Sequence, residues 1–230
     1  MSSPRDFPVV PGRRVLVAAA GYVAMLLIAG TLVVALAGRV PNNRILYDPW
    51  TNMAGLAAYA ALVAGTLWAA RPAGGASAIG VRLPTRPARA FALAGAVLVA
   101  GLVAAAALEP LLHGAKSQGL TPRKFPGGAE ATIGLALTAT VIVVIAPFAE
   151  ELFFRGALTG ALAHRLGAFT PLVSGAIFGA AHIEPRAFPA LFVLGALLGW
   201  LYLHTRSLVP GMAVHAANNL LALLAALLAP

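Results

Sequence analysis

Two adjacent glutamates, Glu150 and Glu151, lie with Arg155 in one of the most apolar stretches of the chain, ALTATVIVVIAPFAEELFFRGAL over 136–158. An ionised group at bilayer depth is costly unless it is paired or wetted, so such residues mark functional sites. The chain has seven acidic residues and places two of them here. Glu151 and Arg155 are four apart, which stacks them on one helix face as an ion pair. Glu150 points about 100° away and is left without that partner, free to act as a general base or acid. Pro147, one turn earlier, is placed to kink the helix and open a cavity. A purely structural ion-pair network would need one acid here, not two.

Two more polar pairs follow. Phe178 stands one turn before His182 in FGAAHIEP, and His215 stands one turn before Asn219 in VHAANN. A neutral imidazole can accept a proton, polarise water or ligate a metal. An asparagine amide can donate to a developing oxyanion. Each histidine alone is explained equally well by a hydrogen bond between helices. Taken with the diglutamate, the set is able to activate water and hold an oxyanion, which suits hydrolysis of an amide within or at the membrane. His113, His164 and His204 fall near span ends and are expected to face interfacial water. Glu184 reads as a loop acid, and Glu109 and Glu130 as span-end residues. Trp50, Trp68, Trp200 and Tyr202 suit an aromatic belt.

The elements that must position these residues are membrane helices. The 230 residues are 60% hydrophobic and 10% charged, against about a quarter charged in a soluble domain. The fold class is therefore all-α, a polytopic transmembrane helical bundle. Spans are expected at 15–37, 51–70, 90–112, 131–149 with a helical continuation to 163, 170–182, 187–204 and 208–228. These make about seven, of which 170–182 is short for a crossing. The run 15–37 is too long for a signal-peptide core and is read as an uncleaved first helix. Gly175/Gly179 and Gly195/Gly199 have the small-xxx-small spacing of close helix packing.

Seven spans put the termini on opposite sides. Arginine is more abundant in the segments that share a side with the N-terminus, which favours a cytoplasmic N-terminus. At the helical rise, Glu150 and His182 then lie about 20 Å deep from the cytoplasmic loops, and His215 and Asn219 about 12 and 18 Å. Polar residues of three helices thus fall in one layer, nearer the cytoplasmic face.

Several chemistries are excluded. There is no cysteine, so no disulfide and no thiolate metal site. No His-Glu-x-x-His, Gly-x-Ser-x-Gly or Walker loop occurs. The net charge of +9 is carried almost wholly by arginine. These arginines lie mostly in loops, where they set topology and meet anionic headgroups. No basic stripe interleaved with aromatics points to nucleic acid.

At these residues the chain resembles the CAAX protease and bacteriocin-processing family of intramembrane proteases, also called CPBP or Abi. The family pattern of Glu-Glu-x-x-x-Arg, Phe-x-x-x-His and His-x-x-x-Asn/Asp is present in order as Glu150-Glu151-x-x-x-Arg155, Phe178-x-x-x-His182 and His215-x-x-x-Asn219. The resemblance covers about residues 130–226, and the first three spans carry no matching motif. It divides the chain into N-terminal membrane helices, 1–128, and a protease-like core, 129–230. It implies peptide-bond hydrolysis, with Glu150 and His182 activating water, His215 and Asn219 stabilising the oxyanion, and Glu151, Arg155 and Phe178 supporting them. The substrate it implies is a peptide or protein in the bilayer, CAAX-like or otherwise. The arginine-to-lysine bias and alanine richness suit a GC-rich bacterial genome, hence a bacterial plasma membrane.

Metal dependence stays open at this level. Glu150, His182 and His215 offer three ligands for zinc or another divalent ion and leave one position for water. A metal-free pair of Glu150 and His182 uses the same residues. Two non-enzymatic readings also stand: a peptide-binding immunity or scaffold protein, and a proton-coupled transporter with Glu150 and His182 as relay. Nothing in the sequence sets the oligomeric state.

Overall fold

A computed structural model describes residues 7–37, 48–108 and 127–228. The described residues are helical, with seven main helices. They are α1 (Gly12–Ala37), α2 (Pro49–Ala70), α3 (Pro87–Leu108), α4 (129–166), α5 (Thr170–Ala181), α6 (Phe188–Thr205) and α7 (Val209–Leu228). Proline opens most of them: Pro49, Pro87, Pro171, Pro189 and Pro210 all lie at the first or second position. There the missing N–H costs nothing and the fixed φ already suits the helix. In α2, Asp48 also caps by accepting from the Thr51 N–H at 2.7 Å.

Among the described residues, six stretches are long and apolar enough to cross a membrane, with 129–181 counted as one of them. The chain is thus a polytopic helical bundle. The fifth expected span differs from expectation. It is a helix of 12 residues, only about 18 Å long at the helical rise, which is short of a hydrocarbon core of about 30 Å. A single 3-10 turn, Gly167–Phe169, folds it back from α4. The third span is seen from Pro87 to Leu108. The expected end of that span at 109–112, with Glu109 and His113, lies outside the described residues.

α4 is not uniform. Its path is α-helical over Ala129–Thr140, π-helical over Val141–Ile145, α-helical over Ala146–Glu151, π-helical over Leu152–Leu158 and α-helical again over Thr159–Leu166. The first π segment ends just ahead of Pro147, whose missing N–H cannot continue an α-helical ladder. The kink expected from Pro147 thus takes the form of a change in winding. In the second π segment the Phe154 carbonyl accepts from Thr159 Oγ1 at 2.9 Å and from Ser174 Oγ at 3.4 Å. The second of these contacts ties α5 to α4 at the level of the site.

α5 and α6 pack with their backbones in close approach. A Cβ at Gly175 would lie 2.6 Å from the Ala196 nitrogen and 2.8 Å from the Phe192 carbonyl oxygen. A Cβ at Gly195 would meet the Gly175 Cα at 2.9 Å. The small-xxx-small glycines are therefore used for packing.

One end of the bundle gathers the segments expected on a common side. The Leu208 N–H donates to the Gly80 carbonyl, and Arg82 Nε donates to the Arg206 carbonyl. Phe7 packs on Tyr202 and lies under the Arg206 guanidinium, while its carbonyl contacts His164 Nε2 at 2.7 Å. Two expectations change here. Tyr202 is not an exposed belt residue: it is buried and donates to the Ile79 carbonyl at 3.0 Å. His164 is tied to the N-terminal segment rather than left to water alone. α7 starts at this end and runs away from it, so the described N- and C-terminal segments lie at opposite ends.

Candidate active site

The site begins at the short α-helical turn of α4 between its two π segments. Ala149 and Glu151 are buried, and Glu150 turns toward a half-open space. π-helical turns are frequent at functional sites because they re-aim side chains that a regular helix would spread evenly.

Glu151 anchors one half of the arrangement. Its Oε1 meets Arg155 Nη1 at 2.8 Å and His215 Nδ1 at 3.1 Å. Arg155 Nη2 donates to the Gly195 carbonyl at 3.1 Å, and its guanidinium lies 4.4 Å from the centroid of the Phe178 ring. Arg155 is fully buried, so its charge is held by a carboxylate, a backbone carbonyl and an aromatic face. The pairing expected from the four-residue spacing is present. Glu151 Oε2 has no hydrogen-bond partner among the described residues and would lie 3.0 Å from a Cβ at Gly211. Gly211 is in the first turn of α7, where the helix dipole favours a negative charge and a side chain would displace it.

Glu150 organises the other half. Both His182 Nε2 and His215 Nε2 lie 3.9 Å from Glu150 Oε2. The remaining ring nitrogens fix the tautomers. His182 Nδ1 is 2.8 Å from the Phe178 carbonyl, and His215 Nδ1 is 3.1 Å from the Glu151 carboxylate. Both contacts are acceptors, so Nδ1 of each ring carries a proton and Nε2 is the nitrogen turned toward Glu150. The Phe178 ring packs edge-on against both imidazoles, with centroids 4.7 and 5.6 Å away. Glu150 and His182 stay partly open, their side chains 14% and 21% exposed, whereas His215 is 3% exposed. The half facing outward is therefore the one suited to meet substrate and water.

His182 caps the C-terminus of α5, and the next residue, Ile183, takes a left-handed φ of 54°. That conformation is costly for a β-branched residue, and it turns the chain sharply into α6. Asn219, one turn after His215 on α7, donates from Nδ2 to the Ile142 carbonyl at 3.0 Å. Ile142 belongs to the first π segment of α4, so the amide is oriented from that helix and keeps a second N–H to donate.

The sequence-derived residues Glu150, Glu151, Arg155, Phe178, His182 and His215 are thus in mutual contact, while Asn219 is attached through its backbone partner on α4. Sequence reasoning missed Tyr59 on α2, whose hydroxyl donates to Glu150 Oε1 at 2.9 Å. A signal was present: Asn52, Tyr59 and Thr66 recur every seven residues on an otherwise apolar helix. Such a stripe faces protein rather than lipid. Asn52 meets Thr138 of α4 at 2.8 Å, and Thr66 is buried.

As placed, no three His, Asp or Glu side chains among the described residues are grouped closely enough to hold a metal ion. The donor chemistry of Glu150, His182 and His215 suits zinc, but the separations would have to close.

Residues 132–221 match the family described as Rce1-like, type II CAAX prenyl endopeptidase. This agrees with the resemblance carried by the three ordered motifs, and all seven motif residues fall inside the matched segment. No curated protein and no solved structure matches the chain.

Proposed function

Because this membrane protein carries an Rce1-like core, we propose that it is an intramembrane endopeptidase that hydrolyses peptide bonds of membrane-associated protein substrates. The observation that supports this reading best is the convergence of two imidazole Nε2 atoms on one carboxylate oxygen, both at 3.9 Å. That separation is too long for a direct hydrogen bond and is within the span that one water, bonded to both Glu150 and His182, can bridge.

In the proposed reaction the water oxygen bonds to the scissile carbonyl carbon while its proton passes to Glu150. The carbonyl oxygen becomes an oxyanion. His215 donates to it from Nε2, a role that requires protons on both ring nitrogens. Glu151, 3.1 Å from Nδ1, is the counterion for that imidazolium. The free N–H of Asn219 is the second donor. The tetrahedral carbon then expels the amine, which takes its proton from Glu150, and the C–N bond breaks to give an amine and a carboxylic acid, which loses its proton to solvent. Glu151, Arg155 and Phe178 hold His215 and His182 in register without touching substrate.

If the enzyme uses zinc or another divalent ion, Glu150, His182 and His215 are the residues that would hold it, and the ion would supply Lewis acidity. No step above depends on it. The test is cleavage of a diverse peptide library, prenylated tails included, by the protein in liposomes, read by mass spectrometry with and without a strong chelator. Defined products are expected. A proton-coupled transporter would give no products but pH-gradient-driven uptake, and a scaffold would give neither. Loss of cleavage with chelator, restored by added zinc, would establish the metal reading.

We further propose that the end gathering Phe7–Arg14, residues 71–87 and the α6–α7 turn is cytoplasmic. It carries Arg13, Arg14, Arg71, Arg82, Arg86, Arg89, Arg165 and Arg206, as the positive-inside rule requires. His215 lies six residues into α7 from that end, about 9 Å at the helical rise, so on this reading it lies nearer the cytoplasmic face. In this cysteine-free chain, an introduced Ser77→Cys is expected to resist an impermeant thiol reagent applied to intact cells and to react in inverted vesicles. The reverse pattern would invert the topology.

A further inference from the structure

We propose that Tyr59, on a helix outside the family-matched segment, is a positioning residue for catalysis that sets which oxygen of Glu150 faces the two imidazoles. The inference rests on the reading of Glu150 as the general base. An ionised carboxylate is acceptor-only, so the Tyr59 hydroxyl is the donor in the 2.9 Å contact with Glu150 Oε1. With Oε1 engaged, rotation of the carboxylate is arrested and Oε2 is the oxygen presented to His182 and His215, each 3.9 Å away. A carboxylate free to rotate would spend part of its time with neither oxygen in line between the histidines, and small misplacements of this kind are costly in rate.

The hydroxyl is itself held from behind. The Tyr22 ring of α1 packs against the Tyr59 ring at 5.8 Å between centroids. The α1–α2 pair is closely set, with Gly65 so near Ala18 that a Cβ there would lie 3.1 Å from the Ala18 Cα. Two turns before Tyr59, Asn52 fastens α2 to α4 through Thr138 Oγ1 at 2.8 Å. A second contact on the same face therefore fixes the distance between the helix carrying Tyr59 and the helix carrying Glu150. The N-terminal helices thus contribute an atom to the base, although they hold none of the three motifs. A hydroxyl that only joined α2 to α4 would have no reason to end on the more open of the two glutamates.

The test is steady-state cleavage of a substrate from the peptide library by wild type, Tyr59→Phe, Glu150→Gln, Glu150→Asp and the Tyr59→Phe/Glu150→Asp double variant, with thermal unfolding of each. Phenylalanine keeps the ring and its packing on Tyr22. Tyr59→Phe is expected to lower kcat about 10- to 100-fold, with KM within about twofold and an unchanged unfolding temperature, as loss of an oriented carboxylate predicts. Aspartate is one methylene shorter and gives up the contact, so adding Tyr59→Phe to Glu150→Asp is expected to cost little more. Wild-type kcat in Tyr59→Phe, or a change confined to KM, overturns the proposal. So does full additivity in the double variant. Retained activity in Glu150→Gln overturns instead the assignment of Glu150 on which the proposal rests.

Discussion

Glu150→Gln is expected to lower kcat by about a thousandfold or more, within the range that positioned acid–base groups supply, and to leave the fold intact. Glutamine keeps the size of the side chain and can still accept from Tyr59. What it loses is the capacity to take a proton from water and return it to the leaving amine. Glu150 is the more exposed of the two acids, its side chain 14% exposed against 1% for Glu151, and neutralising it leaves the direct Glu151–Arg155 pair at 2.8 Å in place. The measurement is single-turnover cleavage by the purified variant beside its thermal unfolding in the same detergent. An active, stable Glu150→Gln would exclude the proposed base. An inactive but unfolded protein would instead assign Glu150 to structure.

Arg155→Met should do the opposite and fail in folding before chemistry. Arg155 is fully buried, and its removal strips the Glu151 carboxylate of its closest cation, 2.8 Å away. Breaking a buried pair from one side costs about 3–5 kcal/mol because the remaining charge is left without compensation. For a chain of this size that corresponds to a fall in unfolding temperature on the order of 10 °C. Removing both charges should be far milder. The double variant Glu151→Gln/Arg155→Met is expected to recover most of the lost stability, since the amide oxygen still accepts from His215 Nδ1. Equal destabilisation in the single and double variants would show that the side chain of Arg155, and not its charge, holds α4 to α5 and α6. Its stacking on Phe178 and its bond to the Gly195 carbonyl would then carry the whole effect.

The two variants separate because neighbouring glutamates in one helix face different surroundings. The α-helical turn from Ala146 to Glu151 sits between two π segments. It aims Glu151 into the packed core with Arg155 and His215, and Glu150 toward Tyr59 and His182. The first acid serves as a fixed counterion and the second as a mobile proton carrier in the proposed reaction.

The sequence by itself determined the fold class and singled out most of the polar residues that converge inside the bundle. Long apolar runs admit no stable state but helices in a bilayer, because backbone polar groups there must be satisfied within each segment. Charges are so costly at that depth that Glu150, Glu151, Arg155, His182 and His215 stood out by position alone. Four-residue spacing was enough to predict the Glu151–Arg155 pair, since that contact is local to one helix turn.

What required the tertiary structure was everything set by packing between helices. The half-length of α5 follows from the tight turns on either side of it, which hydropathy does not register. The π turns of α4 arise where Pro147 and the Thr159 and Ser174 hydroxyls redistribute carbonyl bonds, a matter of a few atoms rather than of periodicity. Tyr59 reaches Glu150 across 91 residues of sequence, and Gly211 leaves the space that Glu151 fills. Such contacts depend on how whole helices rotate and slide against one another. That arrangement is fixed by the sum of many small packing terms, which no single residue's identity reveals.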